Sequence, residues 1–428
     1  MADVGRSYAP RLHGALLALC VGAALSISIA STSGCSPAQG AATATAPAGP
    51  FVSLRIYAEA LPRSTRLVGM EATEAISEPY EVTVGLWIPD AAFDAARALR
   101  TRATVRIDHP RQATAVVFHG IWRSLEYLDE RNGVSLYRGI LVPGLHELGY
   151  GRRSRGFTDK TVPQIAREVL DEHGLGAHDY ELRLRSAPPA VDHAVQYDQD
   201  DLSFLAQRLD RAGFYFYFEQ GQHREKLVIS DHLSPGQASP REPVPFSRAD
   251  AHEAPAVMAL DLFTRRDSSG PAAVRVQDRD YRHPTERLDA TAAVAPGGAG
   301  TITTYGELLH TNESAETVAE RKARKLAASR VVYRAEGRVL GLRAGHIFEL
   351  RGHPRNQFDQ PYLCTKAHHL ALDPNADPRT RRLLGIDIDQ DYQVSLEALP
   401  ASAGSVPPSR PPEQRAPGVI VETTTVGH

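Results

Sequence analysis

Apolar and polar positions change period several times along this chain, and the densest set of changes falls in residues 195–231, VQYDQDDLSFLAQRLDRAGFYFYFEQGQHREKLVISD. Val195, Gln196 and Tyr197 form a short β-prone lead. Asp198, Asp200 and Asp201 then supply the side-chain oxygens and negative charge that favour a helix start. Leu202, Leu205, Ala206 and Leu209 recur at three- and four-residue intervals, which predicts one apolar stripe, and Gly213 stands where a left-handed cap ends the helix. Residues 214–218 alternate Phe and Tyr, a period of two, so the expectation is a strand with one all-Phe face. A turn at Gly221 returns the chain into the apolar run 227–229 and closes a hairpin.

Elsewhere the two-residue period predicts strands at 51–57, 80–88, 104–107, 114–125 and 135–142, with Val82, Val84 and Leu86 on one face of the second. Asp108-His109-Pro110 and Arg131-Asn132-Gly133 separate them, and Asn132-Gly133 is a strong hairpin signal. Such spacing predicts a small closed or nearly closed barrel. In 157–174 the period becomes helical: Thr161 and Gln164 have capping-box spacing, Pro163 sits in the first turn, Val162, Ile165, Ala166, Val169 and Leu170 share a face, and Gly174 ends the run. Further strands are expected at 257–265, 272–280, 338–342 and 346–351. One long helix runs to Tyr333, with Glu313, Glu316 and Glu320 early and Arg321, Lys322, Arg324, Lys325 and Arg330 late, the polarity a helix dipole favours. The fold class expected is α+β, mainly β. Two barrel-like domains at 51–151 and 246–399, the second with the long helix, flank a helix-containing α/β module at 152–245. Pro and Ser accumulate in 400–428, which reads as a linker.

Composition narrows the function. The chain has 428 residues, 42% of them hydrophobic, which is enough for several packed cores. Its 48 basic and 51 acidic residues leave a net charge of -3, which gives no electrostatic reason to expect nucleic acid as a partner. Three dispersed cysteines, Cys20, Cys35 and Cys364, provide neither a disulfide framework nor a zinc cluster. The first 35 residues read differently from the rest. Arg6 and Arg11 precede an apolar run over 14–30 and then Ser31-Thr32-Ser33-Gly34-Cys35, the pattern of a signal peptide with a lipoprotein cysteine, although Thr32 stands where that motif usually carries Leu. Cys35 is the candidate lipidation site, and acyl chains there would tether the protein to a membrane at roughly 0.8 kcal/mol per buried methylene. A start near Phe51 and an uncleaved anchor are the alternatives. Residues 36–50, rich in Ala, Thr, Gly and Pro, read as a disordered tether.

No residue is nominated as catalytic, cofactor-binding or metal-ligating. His368 and His369 are adjacent, and neighbours on a strand point to opposite faces, so the pair does not chelate one ion. Asp387, Asp389 and Asp391 open like a calcium loop, but Tyr392 replaces the required glycine and Ala398 the bidentate glutamate, which favours a half-buried strand with an acidic outer face. Glu59, Asp90 and Glu126 have no spacing that implies glycosidase chemistry. Nucleophile-elbow and phosphate-loop motifs do not occur, and Gly297-Gly298-Ala299-Gly300 reads as a flexible turn. The aromatic run 214–218 could stack bases, but its neutral surroundings favour a core.

The helix and aromatic hairpin, through Tyr197, Asp198, Phe204, Leu205, Gly213 and 214–218, resemble a signature of the VgrG and phage late-control D family, the hub proteins of contractile injection machines. Similar phrases continue the resemblance over the folded part: Leu67, Gly69, Ser77-Glu78-Pro79-Tyr80, Phe118-His119-Gly120, Leu141-Val142-Pro143, Thr161-Val162-Pro163, Glu172-His173-Gly174, Gly345-His346, Gly352-His353-Pro354 and Tyr362-Leu363. The resemblance implies a structural, non-enzymatic hub of a type VI secretion or phage-tail-like apparatus. It implies a homotrimer whose two barrels per subunit match a threefold spike to a sixfold tube. Implied partners are the tube protein, a separate spike or tip protein, baseplate components and effector cargo, with no cofactor and no nucleic acid. It also places His369 in a structural strand. Gly418-Val419-Ile420-Val421 resembles the lead into a spike that this sequence does not continue. Relatives generally lack a cleaved signal because the machine carries them out of the cell. The competing expectation is therefore a membrane-anchored lipoprotein that reuses the fold for binding or adhesion.

Overall fold

Six strands open the folded part: β1 (Ser53–Ala58), β2 (Arg66–Ala75), β3 (Glu78–Ile88), β4 (Arg102–Asp108), β5 (Ala115–Arg131) and β6 (Val134–Val142), with the short helix α1 (Ala95–Ala98) before β4. The structure, a computed structural model, describes residues 51–110, 115–186, 188–234, 238–247, 258–280, 282–307, 309 and 312–403. The leader, the tether, Cys35 and residues 418–421 lie outside the described residues. Alternation in β3 buries Val82, Val84, Leu86 and Ile88 completely. Arg131 pairs with Val134 across Asn132 and Gly133, whose φ values of 52° and 76° make the left-handed two-residue turn expected there.

The middle segment comprises β7 (Arg153–Lys160), α2 (Val162–Glu172), β8 (Tyr180–Arg183), β9 (Val191–Gln199), α3 (Asp201–Ala212), β10 (Tyr215–Gln220) and β11 (Glu225–Ser230). The capping box forms: the Gln164 side chain accepts the Thr161 N–H at 2.8 Å, and Thr161 Oγ1 accepts the Gln164 N–H at 3.4 Å. Thr161→Ala is expected to lower stability by about 1 kcal/mol, read as a lower urea midpoint at unchanged slope. Asp200 caps α3 by accepting the Ser203 N–H at 2.7 Å, and Gly213 closes it at φ 83°. The buried stripe is shifted from the expected one. Phe204 joins Leu205 and Leu209 inside, while Leu202 and Ala206 are only half-buried. Phe204 is held there by stacking on Phe157 of β7, 5.5 Å between centroids.

The last part holds β12 (Val244–Pro245), β13 (Leu260–Asp267), β14 (Ala273–Arg279), β15 (Arg287–Ala293), β16 (Thr301–Tyr305), α4 (Asn312–Ala328), β17 (Val331–Gly337), β18 (Ile347–Arg351), β19 (Pro361–Leu372), α5 (Pro378–Leu384) and β20 (Tyr392–Pro400). Strands β14, β15 and β16 form a small sheet of their own, packed on α4 through Val274, Val276, Leu288, Ala315, Ala319 and Ala323. Two expectations are corrected here. The long helix stops at Ala328 because Val331, Val332 and Tyr333, β-branched and aromatic, enter β17 instead. Residues 338–342 are not a strand; positive φ at Gly341 and Gly345 turns the chain.

One sheet of twelve strands carries the architecture, in the order β1-β4-β5-β6-β3-β2-β19-β20-β17-β13, with β18 on β19 and β12 on β18. The first lobe reads β2-β3-β6-β5-β4-β1 and the second β13-β17-β20-β19-β18-β12, so each lobe, numbered by its own chain order, runs 2-3-6-5-4-1. The registers agree in detail. A bulge after Trp122 displaces β5 against β6, and one after Cys364 displaces β19 against β20. A second pair of bulges lies between Leu67 and Gly69 in β2 and between Leu260 and Leu262 in β13. Arg100 and Gly345, both at positive φ, each donate an N–H to the carbonyl of the residue before the first bulge, Trp122 or Cys364. The repeats differ in their outermost strand, since β1 is antiparallel to β4 whereas β12 is parallel to β18.

The class is the expected one, α+β and mainly β. The barrels, however, do not close. The edge of β2 that would meet β1 is used on β19 of the other lobe, leaving a cleft of about 400 Å³ between β1 and β2.

Candidate assembly surface

The joint between the lobes begins as an ordinary antiparallel ladder, β2 on β19, from Gly69 opposite Leu372 to Ala75 opposite Lys366. Alternation along β19 sends His368 to one face, where it pairs with Glu71 at 2.8 Å, and His369 to the other, where it is fully buried. The adjacent histidines therefore stand in a strand and face apart.

His369 belongs to a buried charge network. Glu74 of β2 meets Arg343, which enters from the turn before β18, with Nη2 to Oε2 at 3.0 Å and Nε to Oε1 at 3.4 Å. The Ala344 N–H donates to Oε1 at 3.2 Å. His369 Nε2 lies 3.4 Å from Oε1 and its Nδ1 2.9 Å from the Tyr392 hydroxyl. A carboxylate only accepts, so Nε2 carries the proton and Nδ1 accepts from Tyr392. Burial alone would push the Glu74 carboxyl up, but Arg343 and His369 outweigh it and hold it at about 2. Burial in turn pushes the His369 pKa down, which favours the neutral imidazole. Arg343 also donates through Nη1 to the Val117 carbonyl of β5 at 2.8 Å and lies over the Phe118 ring at 4.6 Å. One guanidinium from the second lobe thus grips two strands of the first.

A second clamp lies at Asp391. Its carboxylate accepts from the Phe51 and Val52 N–H groups and pairs with Arg338, which covers the Phe51 ring at 4.1 Å. The strand expected over Asp387, Asp389 and Asp391 does not form. Ile386 and Ile388 are buried and Asp387 and Asp389 exposed, but among the described residues the segment has no ladder partner, and Asp391 turns inward to this clamp.

The aromatic hairpin is wedged between the lobes. Phe214, Phe216 and Phe218 enter the main core, where Phe218 meets Tyr80 edge-on at 4.9 Å. The opposite face, Tyr215 and Tyr217, packs with Ile76 of the first lobe and Leu363 of the second. Glycine is required at position 345 because a Cβ there would meet Tyr217 Cβ at 2.4 Å, at φ 81°.

Other expected positions gather no chemistry. Glu59, just after β1, Asp90, after β3, and Glu126, in β5, are all exposed, and Glu126 pairs with Arg138 at 2.8 Å. Among the described residues no three His, Cys, Asp or Glu side chains converge to hold a metal ion. Burial raises the Cys364 thiol well above its usual range, which disfavours the thiolate a nucleophile needs. Gly298 in the glycine-rich turn is more constrained than its reading as a flexible turn implied, because a Cβ there would meet the Pro271 carbonyl oxygen at 2.4 Å.

What remains is surface suited to assembly. Among the described residues, the edge of β13 away from β17 is bare beyond Leu260, and the half of β5 past Trp122 pairs only with β6. Large apolar side chains stand on both, Leu262 at 43% and Tyr127 at 54% exposure. Sequence reasoning missed Glu74 and Arg343. A lone arginine within the run Val339-Leu340-Gly341-Leu342-Arg343-Ala344-Gly345 was the available signal for a buried ion pair.

Residues 73–374 match the model of the phage tail baseplate hub family. A type VI secretion system spike protein, VgrG5 of Pseudomonas aeruginosa, is 27% identical over 385 residues, which is 87% of this chain and 47% of that protein. The chain thus spans about half the length of the curated relatives it matches. Among solved structures, the E. coli c3393 protein, described as a component of the type VI secretion system with structural similarity to T4 tail proteins gp27 and gp5, superposes with a TM-score of 0.60 at 16% identity, covering 83% of this chain and 79% of that one. A tail protein from Neisseria meningitidis MC58 gives a TM-score of 0.60 at 10% identity over 84% of this chain and 99% of its own. These two likenesses are likenesses of fold.

Proposed function

The chain belongs to the phage tail baseplate hub family, and from that premise we propose that it is the structural hub of a type VI secretion or phage-tail-like contractile apparatus. In this reading it is a homotrimer that adapts a sixfold tube to a threefold spike, and it is not an enzyme. The observation that carries the reading is the repeated strand order, 2-3-6-5-4-1 in both lobes, locked into one sheet. Three copies of a chain with two like lobes present six similar units, the number a sixfold tube needs. The buried Glu74–Arg343 pair supports this, because matching a ring requires a fixed angle between lobes rather than a hinge. The domains that fit the role are 51–151 and 246–399 as the two lobes and 152–245 as the module between them. Partners are the tube protein, a separate spike or tip protein, baseplate components and cargo.

Mixed with its cognate tube protein, the full chain is expected to cap tube ends, seen by electron microscopy as added density at one end of each tube. Tubes whose ends stay bare at saturating protein would contradict the reading.

A further inference from the structure

The intrachain joint is β2 of the first lobe laid on the half of β19 beyond its bulge. By the correspondence between lobes, the counterpart of β2 is β13, and the counterpart of that half of β19 is the half of β5 beyond Trp122. Among the described residues both counterparts lack this partner, one at the end of the sheet and the other inside the first lobe.

We propose that β13 of one copy pairs antiparallel with the distal half of β5 of the next copy, repeating the intrachain joint in the same register. The inference rests on the hub reading and specifies its subunit interface. The register follows from shared landmarks. Ala72 lies opposite Val82, and Val82 opposite Leu141; Arg265 lies opposite Tyr333, and Tyr333 opposite Ala398. Leu141 and Ala398 face the equivalent residues Trp122 and Cys364, so Arg265 stands for Ala72 and Arg266 for Thr73. Counting from the bulge, Ser124, Leu125, Glu126 and Tyr127 stand for Lys366, Ala367, His368 and His369. Ala72 lies opposite His369 and Thr73 opposite His368 in the joint. Arg265 therefore meets Tyr127 of the next copy, and Arg266 meets Glu126.

The chemistry fits a second copy of this chain. Arg266 and Glu126 are exposed and of opposite charge, and directly opposed opposite charges stabilise a strand pair. Arg265 meets an aromatic ring, a favourable cation–π arrangement. The pairing covers Leu262 and Tyr127, and it satisfies backbone groups that bare edges leave open to unwanted partners. Because the two surfaces differ, the interface is head-to-tail, and such an interface closes into a ring when its rotation divides the circle.

Cysteine pairing tests it. In the full chain with C20S and C35S, so that only buried Cys364 accompanies the introduced thiols, a chain carrying R266C is mixed with one carrying E126C and oxidised. Directly opposed strand residues lie within disulfide reach. The expected result is a disulfide-linked dimer from the mixture and none from either chain alone, with linked trimers from a chain carrying both changes. The pair R265C and E126C, whose side chains face opposite sides, is expected not to link. If the protein trimerises but the 266–126 pair does not link, or links no better than the 265–126 pair, the interface is wrong while the hub reading stands. If the parent chain is monomeric at every concentration, both are wrong. Should the cysteine variants fail to fold, charge exchange replaces them. R266E and E126R are each expected to raise the trimer half-dissociation concentration about tenfold, and the double variant to restore it; absence of restoration overturns the register.

Discussion

Replacing Glu74 with Ala is expected to lower folding stability by about 3–5 kcal/mol, because it strands the Arg343 side chain, 9% exposed, without its counter-charge. The loss should appear as a fall in the urea midpoint or in Tm of the full chain. Arg343→Ala is expected to cost a similar amount and also to free the Val117 carbonyl and the Phe118 ring. A double change to apolar residues of similar volume should recover much of the loss, since the penalty lies in an uncompensated buried charge. The pH dependence has a definite sign. The Glu74 carboxyl in the folded chain sits at about 2, below its ordinary 4.5. Its contribution is therefore fully present above pH 4.5 and is lost as pH falls through that range toward 2. Glu74→Gln should flatten this part of the acid transition. An unchanged acid limb would show that the network does not hold the lobes together.

The second large effect is expected in the aromatic strand. Phe218→Ala should cost about 3–5 kcal/mol, since it removes a buried ring that meets Tyr80 edge-on and leaves a cavity between lobe and hairpin. Tyr197→Ala, from the same stretch of sequence, should change stability by no more than about 0.5 kcal/mol, because Tyr197 is 81% exposed. Parallel urea titrations of the two variants compare them directly. Equal losses would contradict the assignment of one ring to the core and the other to the surface.

Local elements were legible where short-range chemistry decides them. The Thr161 capping box, the Asn132-Gly133 turn, the Gly213 cap and the alternation of Phe and Tyr in β10 each depend on residues a few positions apart, and each forms as expected. Failures occurred where distant strands compete for the same backbone. Helical periodicity carried the long helix past Ala328, but β17 has a place between β13 and β20 that the helix could not fill. Barrel closure failed for a similar reason, since a free edge of β2 has two candidate partners, β1 and β19, and local pattern does not rank them. Asp391 looked like one of a solvated acidic row because its partners, the Phe51 and Val52 amides and Arg338, lie far away in sequence. The Glu74–Arg343 pair was hidden by the same distance, 269 positions along the chain.

Native mass spectrometry of the full chain at micromolar concentration tests most directly the proposed joining of three copies head to tail. The predicted result is a dominant species of three times the monomer mass that loses one subunit at a time on activation. Monomer alone across the concentration series, with the acid transition and urea midpoint of a folded protein, would contradict it.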